Sequence, residues 1–316
     1  MKITVTGAGG FIGYHLTNHL KAAGHWVRGV DIKPPEFAPS QADEFHLLDL
    51  RRASSAVVVT RDVEWVFALA ADMGGMGFIG NRANEWDIIR NNTLINLNTL
   101  TAAQQNGVQR YFFSSSACVY PEYRQDVTDV TPLREEDAYP AQPQEAYGWE
   151  KLYTERLCCY SAVPTRIARF HNVYGPFGAW RGGREKAPAA LCRKIAEAKR
   201  DGVHEIEVWG DGQQTRSFMY VDDCVRGIMA VMESDHAAPL NIGSDRAVTI
   251  DELADMIAAI AEWPVDKKHV SGPQGVRGRN ADLCRVIQAV GWQPQVALED
   301  GLAQTYRWIE KQVMGQ

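Results

Sequence analysis

The 316-residue sequence has no stretch of about 18 consecutive apolar residues, so no segment qualifies as a membrane span. It opens on MKITVTG, which reads as a strand at the very start and not as a signal peptide. Neither charge sign dominates: 33 Lys and Arg stand against 39 Asp and Glu, for a net charge of −6. That balance argues against a general nucleic-acid binder or an anionic-membrane binder, and an anionic small substrate would need locally placed cations. Cysteine is sparse and unpatterned. Cys118, Cys158, Cys159, Cys192, Cys224 and Cys284 form no paired framework, and two of them are adjacent, which suits a reducing, cytoplasmic compartment. There is no internal repeat and no low-complexity linker. A metal-ligand set is also missing: His15 and His19 lie four apart on a helical pattern but lack a third ligand, so a solvated helix face is expected and no metal is assigned.

What is present is core-forming material. At 45% hydrophobic, with 9 Trp, 11 Tyr and 10 Phe, the chain excludes disordered, collagen-like and coiled-coil classes. Strand-like runs at 2–6, 26–31, 44–48, 64–70, 110–115 and 165–170 alternate with helical patterns. One helix starts near Phe11 with Ile12, Leu16 and Leu20 on one face; others run from 86 to 105 and from 146 to 159. The repetition predicts an α/β, Rossmann-type doubly wound parallel sheet with a smaller α/β substrate-binding domain. Residues 1–172, joined by part of 213–245, are expected to bind the cofactor, and 173–316 the substrate. In that second region helices are expected at 189–199, from a Thr249/Glu252 capping box onward with Leu253, Ile257 and Ile260 on one face, from 282 to a C-terminal Gly291, and from 299 to 313; 205–209 reads as a strand.

Gly7-Ala-Gly-Gly10-Phe-Ile-Gly13 follows the first strand and opens the first helix, the context a dinucleotide fingerprint requires. The glycines permit a tight turn, a close approach to pyrophosphate and helix–strand packing, while the helix N-terminal amides face the phosphates. Asp31 ends the second strand, where a carboxylate accepts ribose hydroxyls and repels a 2′-phosphate, so NAD is favoured over NADP. Phe11, Ile12, Asp49, Leu69 and Ala70 complete the candidate cofactor contacts. Tyr147 and Lys151 stand one helical turn apart, so the ammonium is expected to ease phenolate formation below the free phenol pKa of about 10. Ser116, in a serine-rich strand end, is the candidate partner of Tyr147 in holding a substrate hydroxyl.

With these residues the chain resembles the extended short-chain dehydrogenase/reductases, in their nucleotide-sugar epimerase/dehydratase branch. The resemblance spans nearly the whole chain. It rests on Ala71-Asp-Met-Gly-Gly-Met-Gly-Phe78, Ser115-Ser-Ala-Cys-Val-Tyr-Pro-Glu122, Tyr147–Lys151 and Arg169-Phe-His-Asn-Val-Tyr-Gly-Pro-Phe-Gly178. Gly182-Gly-Arg-Glu-Lys-Ala-Pro-Ala-Ala190, Trp209-Gly-Asp-Gly-Gln-Gln-Thr-Arg-Ser-Phe218 and Gly275-Val-Arg-Gly-Arg-Asn280 extend it. Within the branch, the Met-Gly-Gly-Met loop and the Gly-Gly-Arg-Glu-Lys run are similar to enzymes that invert GDP-mannose at hexose carbons 3 and/or 5, giving GDP-L-galactose or GDP-L-gulose. The resemblance implies transient NAD-dependent oxidation at carbon 4, which acidifies the neighbouring C–H bonds, and re-reduction afterwards. It nominates Cys118 and Lys186 as the acid/base pair on the two ring faces. It also implies a GDP-sugar site formed by Gly74, Met76, Ser116, Asn172, Glu185, Lys186, Ala187, Lys194, Gln214, Arg216 and Arg279, and a homodimer, for which the 86–105 helix face could serve. Plant members carry an N-terminal extension that is not expected here. The rival readings are a nucleotide-sugar 4-epimerase, which needs Tyr147 and NAD but no second acid/base pair, and a non-catalytic NAD-binding regulator. A 4,6-dehydratase is disfavoured because it usually carries Asp-Glu where Ala117-Cys118 stands.

Overall fold

The computed structural model describes residues 1–315. Its first half is strand, helix, strand in alternation: β1 (Lys2–Thr6), α1 (Phe11–Ala22), β2 (Trp26–Asp31), β3 (Glu44–Leu47), α2 (Ala53–Val59), β4 (Trp65–Ala68), α3 (Met76–Ile79), α4 (Arg82–Gln105), β5 (Arg110–Ser116), α5 (Ala146–Tyr160) and β6 (Thr165–Phe170). The remainder comprises β7 (Val173–Tyr174), α6 (Ala187–Asp201), β8 (Glu205–Trp209), β9 (Thr215–Ser217), β10 (Met219–Tyr220), α7 (Val221–Glu233), β11 (Leu240–Ile242), β12 (Ala247–Thr249), α8 (Ile250–Ile260), β13 (Asp266–Val270), β14 (Gly278–Arg279), α9 (Cys284–Val290) and α10 (Leu298–Met314).

Seven strands form one parallel sheet in the order β11-β6-β5-β4-β1-β2-β3. Chain order reverses between β1 and β4, and that reversal opens a crevice at the strands' carboxyl ends. The central strands are apolar on both faces because helices cover both: Ile3, Val5, Phe67, Phe112 and Ile167 are fully buried. α1 lays Leu16 and Leu20 into this core, while Ile12 turns toward the crevice. α7 and β11 return the chain to the sheet after β7, and β11 pairs with β6. Outside the sheet, β12-β9-β14, β13-β8 and β10-β7 make three small sheets. One apolar cluster joins the two regions, from Ile3 and Leu16 to Ile195, Leu253 and Leu302.

The capping box forms: Thr249 Oγ1 accepts from the Glu252 amide at 3.0 Å and Glu252 Oε2 from the Thr249 amide at 2.7 Å. Gly291 ends α9 at φ +68°, although that helix starts at Cys284, with Asp282 capping its first amide, and not at 282. α4 begins four residues ahead of the expected start, capped by the Asn81 side chain on the Ala83 amide. Its first turn, Arg-Ala-Asn-Glu, has no apolar periodicity to announce it. His15 corrects the expectation of a solvated face. Its ring sits against Phe11, Tyr14 and Phe177, and Nε2 hydrogen-bonds the Pro176 carbonyl at 3.0 Å; His19 alone is exposed. All six cysteines are unpaired. No helix among the described residues is long and apolar enough to cross a membrane.

Candidate active site

A cavity of about 680 Å³ runs along the carboxyl ends of the sheet, from Asp31 past the glycine turn to Tyr147 and Lys186. At one end the turn after β1 shapes it. Gly7 has φ +71°, a conformation that disfavours side chains, and a Cβ there would sit 2.8 Å from the Ala70 nitrogen. A Cβ on Gly13 would lie 2.1 Å from the Gly7 carbonyl oxygen, so α1 can start this close to the strand only with glycine. Gly7, Gly10, Phe11, Ile12, Gly13, Asp31, Asp49, Leu69, Ala70, Tyr147 and Lys151 all line the cavity. Asp31 Oδ2 accepts from the Gly9 amide at 3.0 Å, and Oδ1 from the Ile32 and Lys33 amides. Burial nevertheless raises the Asp31 carboxyl above its ordinary pKa. The Asp49 carboxylate is gripped by the Arg51 guanidinium, which holds its pKa down. A glycine cradle at a helix N-terminus with a carboxylate at the end of β2 fits a dinucleotide such as NAD. Sequence reasoning missed Tyr14, Lys33, Phe37 and Arg51 on the same wall, because no motif marks them, and it passed over Phe177 inside the Arg169–Gly178 run.

At the other end, α5 presents Tyr147 and Lys151. Lys151 Nζ donates to the Ser114 carbonyl at 2.8 Å and lies 5.5 Å from the Tyr147 ring centre. Burial lowers the Lys151 pKa, opposed by the carboxylates of Glu150 and Glu155. Burial also pushes the Tyr147 phenol well above its ordinary value, and the hydrogen bond with the Ser116 hydroxyl opposes that rise. This corrects the expected electrostatics: the ammonium is directed at the Ser114 carbonyl, and the group easing Tyr147 ionisation here is Ser116.

Cys118 lies in the 3₁₀ turn Ala117–Val119, its amide capped by Ser116 Oγ at 3.1 Å, and it packs with Tyr147, Ile79 and Ile88. Arg279 Nη1 points at its sulfur from 3.6 Å. Lys186 caps α6 with its backbone, and burial lowers its ammonium pKa, opposed by the nearby Cys118 sulfur. The structure therefore brings Cys118, Tyr147, Lys186, Ser116 and Arg279 together.

The other nominated substrate residues divide. Gly74 lines the cavity. Arg216 is held by the carbonyls of Thr215, Gln274 and Val276, and burial pushes it down to about 9. Gln214 donates to the Trp209 carbonyl, leaving its buried Oε1 without a partner. Asn172, at φ +37°, donates to the Ser217 carbonyl. Met76 opens α3 and Ala187 opens α6. Glu185 and Lys194 are likewise engaged by protein partners: Glu185 accepts from the Gly183 amide and from Arg193, and Lys194 donates to the Glu207 carbonyl at 2.6 Å. Arg184, unnoticed inside its motif, ties the two diagnostic loops together. Its guanidinium reaches Asp72 Oδ1 at 3.1 Å and the Met73 carbonyl at 2.9 Å, stacks over Phe78 at 3.7 Å, and its own carbonyl accepts from the Gly75 amide.

A family model described as the NAD dependent epimerase/dehydratase family matches residues 3–243. GDP-mannose 3,5-epimerase of Arabidopsis thaliana is 49% identical over 319 aligned residues, covering 99% of this chain and 83% of the relative. Among solved structures, the UDP-glucose 4-epimerase of Thermotoga maritima with UDP-glucose is similar at a TM-score of 0.86 and 25% identity, covering 99% of this chain and 100% of that one. MoeE5 in complex with UDP-glucuronic acid and NAD is similar at 0.84 and 28%, with the same coverage. A crevice shaped for a dinucleotide, a buried tyrosine and lysine one helical turn apart at its far end and a match over most of the sequence lead to one conclusion: the chain belongs to the NAD dependent epimerase/dehydratase family.

Proposed function

We propose that the protein epimerises GDP-mannose at hexose carbons 3 and 5. One observation carries this beyond family membership: the amine Lys186 lines the same cavity as Tyr147, and the thiol Cys118 packs against Tyr147. A 4-epimerase has no use for that pair. The similarity to the Arabidopsis thaliana epimerase supports the same reading.

Bound at the cradle, NAD supplies reversible hydride exchange with carbon 4 of the hexose. Tyr147 takes the carbon-4 hydroxyl proton, held in line by Ser116, while Lys151 fixes the end of β5 through the Ser114 carbonyl. The carbon-4 carbonyl then acidifies the hydrogens on carbons 3 and 5. Cys118 and Lys186 stand on opposite ring faces in this reading, one removing a proton and the other returning one to the far side. Burial lowers the Lys186 ammonium pKa, which favours the amine form that can accept a proton. Arg216 binds the diphosphate, for which a guanidinium fork is suited. The division into a cofactor half, residues 1–172 with α7 and β11, and a substrate-binding remainder belongs to this proposal. So do a homodimer on the outer face of α4, where Trp86 and Leu97 are exposed, and a cytoplasmic site of action that keeps six unpaired thiols reduced.

Incubation with GDP-mannose in heavy water, followed by NMR, tests the reaction. Deuterium at carbons 3 and 5 is the expected result. Inversion at carbon 4 alone, without exchange, would replace this reading with a 4-epimerase, and binding without turnover would replace it with a regulator.

A further inference from the structure

Gln125 is buried at 1% exposure and has no part in the reaction as described, yet every polar group of its side chain is committed. Its Oε1 accepts from Arg279 Nε at 2.5 Å, and its Nε2 donates to the Tyr120 and Pro121 carbonyls, both at 3.1 Å. These partners fix the amide orientation, because two carbonyls demand donors and a guanidinium N–H demands an acceptor. The main-chain carbonyl of Gln125 also accepts from the Arg277 and Gly278 amides at 2.8 and 3.2 Å. One residue thus bolts the turn that carries Cys118 to β14, which carries Arg279, and Arg279 then reaches the sulfur at 3.6 Å.

The chemistry of the acceptor matters as much as its position. A neutral amide on Nε leaves the full guanidinium charge facing Cys118, whereas a carboxylate there would cancel much of it. The nearby carboxyl, Glu145, feels the Arg279 charge but has a buried Oε2 without a hydrogen-bond partner. Whether Cys118 removes a proton or donates one, the step passes through a thiolate, which a cation at this distance stabilises in either direction.

We propose that Gln125 is a positioning residue that acts through Arg279 to set the distance and the charge presented to the Cys118 sulfur. This rests on the acid/base role given to Cys118 under the proposed function. The test compares wild type with Gln125→Leu, which removes acceptor and donors, and Gln125→Glu, which keeps an acceptor but adds charge. Three quantities are read: deuterium exchange at carbon 5, reduced nicotinamide formed on adding GDP-mannose, and the rate of Cys118 alkylation by iodoacetamide, located by peptide mass. Exchange and alkylation should each fall about ten-fold or more in both variants, while carbon-4 oxidation changes by less than about two-fold. Wild-type exchange and alkylation in either folded variant would overturn the proposal. So would a parallel loss of exchange and carbon-4 oxidation with alkylation unchanged, since that is a merely structural effect. If Gln125→Leu fails to fold, Gln125→Glu decides alone. Absence of exchange in the wild type would instead sink the proposed function, and the alkylation comparison would still judge Gln125.

Discussion

Replacing Gly13 with alanine should damage cofactor binding by a predictable amount. The added Cβ would lie 2.1 Å from the Gly7 oxygen, 2.7 Å from the Gly7 carbonyl carbon and 2.9 Å from Ala8 Cα, all backbone atoms that no side-chain rotation can clear. Reaching ordinary contact at 3.4 Å requires the turn and the helix start to separate by 1.3 Å, the difference between 3.4 and 2.1. Overpacking of this kind costs about 1–3 kcal/mol, and a displaced turn transfers the cost to the ligand whose phosphates it cradles. At about 1.4 kcal/mol per ten-fold, NAD affinity should fall roughly 5- to 150-fold. Gly75→Ala is the matched control: its Cβ would lie 2.3 Å from the Glu185 carbonyl oxygen, so it strains the substrate loops, not the cradle. It should leave NAD affinity within about two-fold of wild type while lowering turnover. Calorimetric titration with NAD, with thermal unfolding of each variant alongside, reads both effects. A Gly13→Ala protein with wild-type affinity and unchanged unfolding temperature would refute the packing argument.

Burial lowers the His171 pKa to about 3, against the Asn241 hydrogen bond that favours its charge. A histidine kept neutral when folded stabilises fully above its unfolded pKa of about 6.5 and loses that contribution as pH falls toward the folded value. Between pH 6.5 and 4.5 the loss should approach about 2.5 kcal/mol, read as a drop in urea unfolding free energy that is absent in His171→Gln. An equal drop in that variant would contradict it. Arg184→Ala should raise KM for the sugar nucleotide several-fold and cost under about 1 kcal/mol of stability, because the Arg184 side chain is half exposed and its ion pair is screened. Steady-state kinetics with an unchanged KM would argue against a loop-clamping role.

The cofactor half was legible because its strands are continuous apolar runs that end in a glycine turn, and Lys2–Thr6, Trp26–Asp31 and Thr165–Phe170 fall where those runs lie. α2 gave no such signal: Val57-Val58-Val59 is a β-branched run that favours strand over helix, and packing overrides it. Beyond Phe170 the strand at Glu205–Trp209 was legible from its alternating Ile206 and Val208, but the others are mostly two or three residues long and pair over long separations, as β14 does with β9, so no local pattern reveals them. The candidate site was legible where residues share one motif, as Ser116 and Cys118 or Tyr147 and Lys151 do. It was not legible where it depends on contacts at a distance. The Gln125–Arg279 bond joins positions 154 apart, and nothing around Gln125 distinguishes it from a surface glutamine. Nor does the sequence show that Glu185, next to Lys186 in the chain, pairs in space with Arg193.

The account depends on a thiol and an amine moving protons across the sugar ring after Tyr147 has allowed a carbonyl to form. Cys118→Ala and Lys186→Ala, each loaded with NAD and mixed with GDP-mannose in heavy water, test this most directly. Both should still produce reduced nicotinamide transiently yet incorporate no deuterium at carbons 3 or 5. Near-wild-type deuterium incorporation in either variant would contradict the account.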